Sequence, residues 1–162
     1  MLTRITAGAI LTCGSKVLLM KRGLHRELAP GLWAGIGGHI DSQDVENFRA
    51  INLIETCYRE VREETGIERD AICGLKLRYI SIRKMETEIR WHHYYFGELK
   101  AEITPPKCEE GEFFWLEKND ISTLPMTASV KEPLKHWLTN PICEDIVLFT
   151  VDGERATMSV RL

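Results

Sequence analysis

Residues 59–67 read Arg-Glu-Val-Arg-Glu-Glu-Thr-Gly-Ile, and five of the first six side chains in this stretch are charged. Upstream of it, apolar residues recur at spacings of three and four, which is typical of one face of a helix. Gly66 is a suitable C-cap, because glycine readily adopts the left-handed conformation that ends many helices. The pattern therefore predicts a helix over residues 50–65.

Three carboxylates fall on one side of this predicted helix. At 100° per residue, Glu60, Glu63 and Glu64 share a sector of about 100°. A separate apolar face is formed by Ile54, Cys57, Tyr58 and Val61. Carboxylates at these spacings repel one another and lower helix stability, whereas Mg²⁺ prefers such hard oxygen ligands together with water and substrate phosphates. From this pattern alone, a solvated acidic face and a metal site both stay open.

The composition is that of one soluble globular domain. The chain has 162 residues, of which 44% are apolar and 28% charged, so a single domain over 1–162 is expected. The net charge of −3 disfavours the basic surface that duplex nucleic acid attracts. No run approaches the ~18 apolar residues of a membrane span, and the N-terminus lacks a signal-peptide pattern. We therefore expect neither duplex nucleic acid nor a membrane as a partner.

The cysteines indicate a reducing compartment. There are five of them, an odd number, and they are scattered without a Cys-x-x-Cys pair, at positions 13, 57, 73, 108 and 143. This usage favours reduced thiols in the cytoplasm and disfavours a zinc site. Any chemistry is therefore expected to use oxygen ligands.

The rest of the chain predicts a mixed sheet with few helices. Alternating patterns indicate an N-terminal hairpin and two long later strands, and an Asp-Gly turn near the C-terminus indicates a second hairpin. The glycine-rich segment 29–40 is unsuited to a helix. The predicted strands before the C-terminal hairpin cover residues 1–13, 16–22, 72–84, 89–100 and 112–116.

Two shorter signals complete this α/β fold class. Asn119-Asp120 predicts the N-cap of a short turn. Apolar residues spaced from Val130 to Leu138 predict a second helix, which ends at Asn140-Pro141.

Residues 38–67 resemble the Nudix box. That motif has the form G-x5-E-x7-R-E-U-x-E-E-x-G-U, where U is apolar, and residues 59–67 match its entire second half. The remaining chain agrees in outline, with a hairpin before the box and Glu-Glu-Gly-Glu-Phe-Phe-Trp-Leu after it. The resemblance covers nearly the whole chain, is most specific at the box, and implies a Nudix-type α/β/α sandwich.

The first half of the box departs from the motif. Asp44 stands six residues after Gly38, where the motif has Glu, but fourteen residues instead of seven then separate it from Arg59. About seven extra residues therefore lie within 44–54. On one continuous helix Val45 would fall about 160° from Val61, off the shared apolar face, so we expect a separate turn or short loop before the helix. Whether Asp44 replaces the glutamate stays open at this point.

Family members hydrolyse a diphosphate linked to another moiety, commonly with Mg²⁺ or Mn²⁺. The resemblance implies that Glu60 and Glu64 bind metal, with Glu63 as a further ligand or a water-orienting base. It adds the Gly38 carbonyl as a ligand and gives Arg59 the role of orienting the helix carboxylates by ion pairing. A metal-activated water would then attack phosphorus in line, which asks little covalent chemistry of the protein.

Candidate residues also lie outside the box. Glu110 occupies the place of a general base in the nucleotide-sanitising branch of the family, and Glu109 is nearly as good a candidate. Lys21 and Arg22 end a strand near the expected phosphates, where a solvated strand end is the equal alternative. Trp33 could stack on a nucleobase or belong to the core.

Other conspicuous side chains are interpreted as structural. His92 and His93 point to opposite faces of a strand, so they cannot ligate one metal together. We expect Trp91, Trp115 and Trp137 to be core residues.

The segment Gly-Leu-Trp-Ala-Gly-Ile-Gly-Gly (31–38) resembles that of the 8-oxo-dGTP diphosphatase, or MutT-like, branch. Ala34 stands where that branch often has an asparagine that reads the purine, and its absence should relax base discrimination. The resemblance implies hydrolysis of a nucleoside triphosphate, with 8-oxo-dGTP as the first candidate, to monophosphate and pyrophosphate. Hydrolysis of another nucleoside diphosphate derivative, such as a nucleotide sugar or ADP-ribose, comes next.

Two other classes stay open. A catalytically silent nucleotide sensor is disfavoured by the intact Glu60, Glu63 and Glu64. An RNA-processing hydrolase would need a basic, aromatic surface track, which the acidic net charge disfavours. The expected partner is a small-molecule nucleotide, and the resemblance also allows a homodimer.

Overall fold

The computed structural model describes residues 1–44 and 52–161 of the chain. Nine strands and two α-helices lie within these ranges. The strands are β1 (Leu2–Cys13), β2 (Lys16–Arg22), β3 (Trp33–Ala34), β4 (Ile36–His39), β5 (Ile72–Lys84), β6 (Glu88–Leu99), β7 (Gly111–Glu117), β8 (Val147–Asp152) and β9 (Arg155–Arg161). The helices are α1 (Leu53–Thr65) and α2 (Ala128–Thr139).

The strands form one mixed sheet in the order β3-β2-β1-β6-β5-β8-β9, with β4 added to β1 and β7 to β2. The pairs β1–β6 and β5–β8 are parallel, and the other pairs are antiparallel. Both predicted terminal hairpins are present, as β1–β2 and β8–β9. The predicted α/β class with a mixed sheet is therefore confirmed.

Each face of the sheet carries its own hydrophobic core. Because successive strand residues point to opposite faces, β1 places Ala7 and Ala9 in the core under α1, and Ile10 in the core under α2. Val61 of α1 and Leu134 of α2 are at most 1% exposed. The sheet thus lies between the two helices, which confirms the α/β/α sandwich.

Helix α1 ends where predicted, and a separate 3₁₀ turn precedes it. Gly66 has a φ of 71°, and its N–H donates to the carbonyl of Arg62, 2.9 Å away. The helix begins at Leu53, since Asn52 has non-helical torsions, and an independent 3₁₀ turn spans Ser42–Asp44. This agrees with the expected break before the helix. Most of the extra residues, 45–51, lie outside the described ranges.

Two local predictions are wrong. Asn119 and Asp120 lie inside a 3₁₀ helix that runs from Lys118 to Thr123, and Glu117 is its N-cap residue. The turn begins earlier than predicted because the Lys118 N–H donates to the Ser15 carbonyl of the β1–β2 turn, at 3.0 Å.

Trp91 is also not a core residue, because its exposed fraction is 36%. It pairs in register with Ile5, which lies beyond the part of β1 that α1 covers. Trp115 and Trp137 do pack against the two cores, as predicted.

The described residues contain no helix that is long and apolar enough to cross a membrane. All five cysteines carry free thiols.

Candidate active site

A cleft of about 810 Å³ opens where β4, the C-terminal half of α1, the end of β2 and the loop before β7 meet. Glu60 and Glu64 of α1 line one part of it, together with Gly37 and Gly38. The helix carboxylates and the glycine-rich strand that the sequence singled out therefore face the same space.

Two glycines let the backbone and the carboxylates approach closely. Gly37 pairs with Gly8 of β1 and has a φ of 151°, and a β-carbon there would collide with the Ala7 carbonyl oxygen. A β-carbon on Gly38 would lie 2.5 Å from the carboxyl carbon of Glu60. Residue 38 must therefore be glycine if Glu60 is to keep its position.

Glu64 is a partly buried carboxylate whose charge has few stabilising partners. Its Oε2 accepts a hydrogen bond from the Gly37 N–H, 3.3 Å away. Burial raises the pKa of Glu64 to about 8, and the neighbouring charge of Glu60 adds to this shift. Two negative charges side by side in a partly desolvated cleft favour either a proton or a cation between them.

Glu60 shares this environment but also has a cationic partner. Its Oε1 lies 2.9 Å from Nη1 of Arg59, and its side chain is 13% exposed. Burial raises the pKa of Glu60 above its ordinary value, although the Arg59 charge opposes the shift. The pair Glu60 and Glu64 therefore carries more negative charge than Arg59 alone neutralises.

Arg59 connects four acidic side chains and β4. Its Nε and Nη2 donate to both carboxylate oxygens of Asp44, at 3.1 and 2.8 Å, and Nη2 also donates to the His39 carbonyl at 3.1 Å. Its Nη1 donates to Oε2 of Glu63 at 2.9 Å. The hydrogen bonds to Asp44 raise the pKa of Arg59 and lower that of Asp44. Asp44 thus lies directly beside Arg59.

Glu63 is placed differently from its two neighbours on the helix. Its side chain is 48% exposed, binds Arg59, and is absent from the lining of the cleft. Across residues 1–44 and 52–161, no three His, Cys, Asp or Glu side chains are gathered as a ready ligand set. The predicted convergence of three carboxylates is therefore reduced to two in the cleft itself.

The loop before β7 brings a further carboxylate to the cleft. Glu110 lines it and pairs with Arg26 at 2.6 Å and with Arg22 at 3.5 Å. Glu109 is exposed and does not line the cleft, while its backbone oxygen lies 3.0 Å from Nε2 of His25. Of the two glutamates that the sequence offered, Glu110 is the one that faces the cleft.

The other predicted residues lie at the end of β2 and in β3, and not all of them line the cleft. Arg22 lines the cleft, but Lys21 is exposed on the opposite side of the strand, with its Nζ 6.0 Å from the centre of the Trp33 ring. Trp33 lines the cleft. Its backbone N–H donates a hydrogen bond to the Pro125 carbonyl, 3.0 Å away, and its ring makes an edge contact with Phe114. Ala34 lies beside it. Trp33 thus has both a packed edge and access to the cleft.

Several cleft residues were missed from the sequence. Arg26 lies in an exposed loop without periodicity, so nothing marked it as the partner of Glu110. His92, interpreted as structural, lines the cleft, where its Nδ1 lies 2.8 Å from Oγ1 of Thr6. The alternation of β6 did separate His92 from His93, which is buried on the other face, but it could not show which face borders a cleft.

The donor set fits a hard divalent cation. Mg²⁺ is commonly held by one or two carboxylates, with water and substrate phosphates completing its coordination. Glu60 and Glu64 supply carboxylate oxygens in one partly buried place next to Gly38, and the raised pKa of Glu64 marks negative charge that a cation would relieve.

Comparison with known proteins places the chain in a family. Residues 2–138 match the NUDIX domain model. The mutator MutT protein from Bacillus halodurans shares the fold with a TM-score of 0.71 and 20% identity, covering 96% of this chain and 97% of that one. A MutT protein from Methanosarcina mazei Go1 gives 0.68 and 18%, covering 88% and 97%.

An Ap4A hydrolase from C. elegans, determined as a binary complex, gives a TM-score of 0.67 and 16% identity, covering 84% of this chain and 96% of that one. These structural similarities concern the fold, while the family match and the cleft concern the chemistry. The chain belongs to the Nudix family and is a Nudix pyrophosphohydrolase.

Proposed function

We propose that the protein hydrolyses a nucleoside triphosphate to monophosphate and pyrophosphate, with the reaction taking place at Glu60 and Glu64. The observation that carries this proposal is the pair of partly buried carboxylates against Gly37 and Gly38, whose charge is incompletely balanced by the protein. A substrate that brings phosphates together with a divalent cation supplies the missing positive charge.

Glu60, Glu64 and the Gly38 carbonyl would hold Mg²⁺ or Mn²⁺. When bound, such an ion neutralises phosphate charge and activates water for attack on phosphorus. Arg59 holds Glu60 from outside the cleft and is itself fixed by Asp44, so the ligand geometry is set before substrate arrives. Glu63, bound to Arg59 at the exposed side, contributes to the same orientation.

Arg22 and Arg26 are the cations that would meet the phosphates. Both pair with Glu110 in the free protein, and a phosphate group would compete for their guanidinium groups. Release from these ion pairs leaves the Glu110 carboxylate available to accept a proton from the attacking water. Trp33, with one edge packed on Phe114, offers an aromatic face for a nucleobase.

Oxidised purine triphosphate is the first candidate substrate, on the resemblance of residues 31–38 to the 8-oxo-dGTP diphosphatase branch. Ala34 lines the cleft beside Trp33 and cannot hydrogen-bond to a base through its side chain. We therefore expect weak discrimination among bases. A nucleoside diphosphate derivative, such as a nucleotide sugar or ADP-ribose, is the second candidate, because a cleft with few base-reading groups also accepts other moieties.

The test is product analysis with the purified protein and Mg²⁺ over one panel of ordinary nucleoside triphosphates, 8-oxo-dGTP, a nucleotide sugar, ADP-ribose and a dinucleoside polyphosphate. Monophosphate and pyrophosphate from one triphosphate, at a kcat/KM at least tenfold above the rest, supports the first candidate. Activity confined to the diphosphate derivatives supports the second. No turnover of any compound would contradict both and favour a nucleotide sensor.

A further inference from the structure

A row of three arginines crosses the sheet at the end of the cleft remote from the carboxylates. Arg4 of β1 is in register with Arg90 of β6, and Arg90 is in register with Arg83 of β5. All three line the cleft. Arg4 precedes Gly8 by four residues, so the row lies about 13 Å along β1 from the Gly8–Gly37 pair.

Ion pairs within the fold account for only two of these three arginines. Glu88, whose side chain is 10% exposed, pairs with Arg4 at 2.7 Å and also with Arg90. That one carboxylate accounts for two of the guanidinium groups. Arg83 has no ion pair within the described residues, and like charges opposite one another on neighbouring strands lower sheet stability.

The three arginines and Glu88 together therefore carry a net charge of +2. One carboxylate faces three guanidinium groups, and the adjacent His92 adds no negative charge. Burial and, after it, the charges of Arg90, His39 and Arg83 lower the pKa of His92 to about 4, which agrees with positive potential at this end of the cleft. The opposite end carries Glu60 and Glu64, so the cleft has two ends of opposite charge.

We propose that Arg4, Arg83 and Arg90 form a second anion-binding subsite, which takes a phosphate or carboxylate group of the substrate that does not lie at the metal-binding carboxylates. Arginine suits this role because its planar fork binds both anions in bidentate geometry. Arg83 supplies the unpaired guanidinium, while Glu88 keeps Arg4 and Arg90 in place. This inference rests on the proposed hydrolysis of a nucleotide anhydride, and it deepens that function by adding a second charged group to the preferred substrate.

The test compares pairs of nucleotides that differ only in the second anionic group. Suitable pairs are NADP against NAD, coenzyme A against its 3′-dephospho form, GTP against its 3′-diphosphate derivative, and UDP-glucuronate against UDP-glucose. The first three pairs test a phosphate and the last tests a carboxylate. The subsite predicts at least a tenfold higher kcat/KM for the charged member of one or more pairs, mainly through a lower KM.

The variant Arg83→Gln should lower kcat/KM at least tenfold for the member of a preferred pair that carries the second anionic group, so that the ratio of kcat/KM within the pair falls to about one. Arg155→Gln, which alters an exposed arginine of β9 outside the cleft, is the matched control and should keep the preference. Equal kcat/KM within every pair, unchanged in Arg83→Gln, would overturn the subsite.

A binding measurement separates failure of the subsite from failure of the proposed function. The Kd values of adenosine 2′,5′-bisphosphate and 3′,5′-bisphosphate are compared with that of AMP in the presence of EDTA, where no turnover is needed. Tighter binding of a bisphosphate by the wild type, lost in Arg83→Gln, supports the subsite even if no substrate is hydrolysed. Equal binding of all three by both proteins overturns it even if the enzyme is active.

Discussion

Asp44 and Arg59 form a bidentate ion pair, with Nε–Oδ1 and Nη2–Oδ2 distances of 3.1 and 2.8 Å, although they are fifteen positions apart in the sequence. The Asp44 side chain is 4% exposed and that of Arg59 is 12% exposed, so the pair is well shielded from water. Arg59 in turn binds Glu60. The extra residues between them therefore leave the connection from Asp44 to the cleft intact.

We predict that Asp44→Asn lowers both stability and activity. Loss of the Asp44 charge weakens the hydrogen bonds of the partly buried guanidinium, which costs about 1–3 kcal/mol of the free energy of unfolding, and Arg59 becomes free to change its contact with Glu60. Urea unfolding and kcat/KM measure the two effects. Asp41→Asn is the control, because Asp41 is 47% exposed and 3.8 Å from Arg59, and it should change either quantity only slightly. Equal effects of the two variants would contradict the role given to Asp44.

Gly38→Ala should displace the Glu60 carboxylate, because the new methyl group would lie 2.5 Å from it. We expect Mg²⁺ to activate the variant only at concentrations at least tenfold above those needed by the wild type. The double variant Gly38→Ala/Glu60→Gln should be little worse than either single one, since both act on the same ligand. Additive losses would mean that Gly38 acts elsewhere.

Ala34→Asn should sharpen base discrimination. An amide beside Trp33 can hydrogen-bond to a purine edge, and such polar pairing is what gives nucleotide sites their selectivity. The spread of kcat/KM across dGTP, 8-oxo-dGTP and dATP should widen by about tenfold, as expected for one added polar contact worth ~1.4 kcal/mol. Ala34→Val is the control for size alone. If both variants narrow the spread equally, no base lies at this position.

His92 should make the protein less stable in acid. Its pKa is about 4 in the folded protein and about 6.5 when unfolded, so the unfolded chain binds the extra proton in between. The free energy of unfolding therefore falls as pH is lowered through this window, by at most about 3 kcal/mol from this residue. His92→Gln, whose amide can still meet Thr6, should lose that part of the pH dependence. Parallel curves of unfolding free energy against pH from 4 to 7 would contradict this.

Spacing along one helix was enough to predict that Glu60 and Glu64 lie together, and the glycine requirement at residue 38 followed from the box. Spacing could not show that Glu63 turns outward, because that depends on Arg59 being held from the other side by Asp44. The motif also could not predict the contact between Asp44 and Arg59, because the extra residues that interrupt the motif lie between them in the sequence.

The other missed features depend on strand register. The arginine row arises only when Arg4, Arg83 and Arg90 are aligned across three strands that are distant in sequence. Likewise, Lys21 and Arg22 are adjacent basic residues, and the sequence does not distinguish their roles. The orientation of β2 in the sheet places Arg22, and not Lys21, in the lining of the cleft.

The two cleft carboxylates, Glu60 and Glu64, carry the proposed hydrolysis. The most direct measurement is the Mg²⁺-dependent release of product from the best substrate by the wild type, Glu64→Gln and Glu63→Gln. We predict that Glu64→Gln lowers kcat by at least about 100-fold, since it removes a metal-binding charge, and that Glu63→Gln, altered outside the cleft, has a smaller effect. Wild-type turnover by Glu64→Gln with an unchanged Mg²⁺ requirement would contradict the role of Glu64 in the hydrolysis.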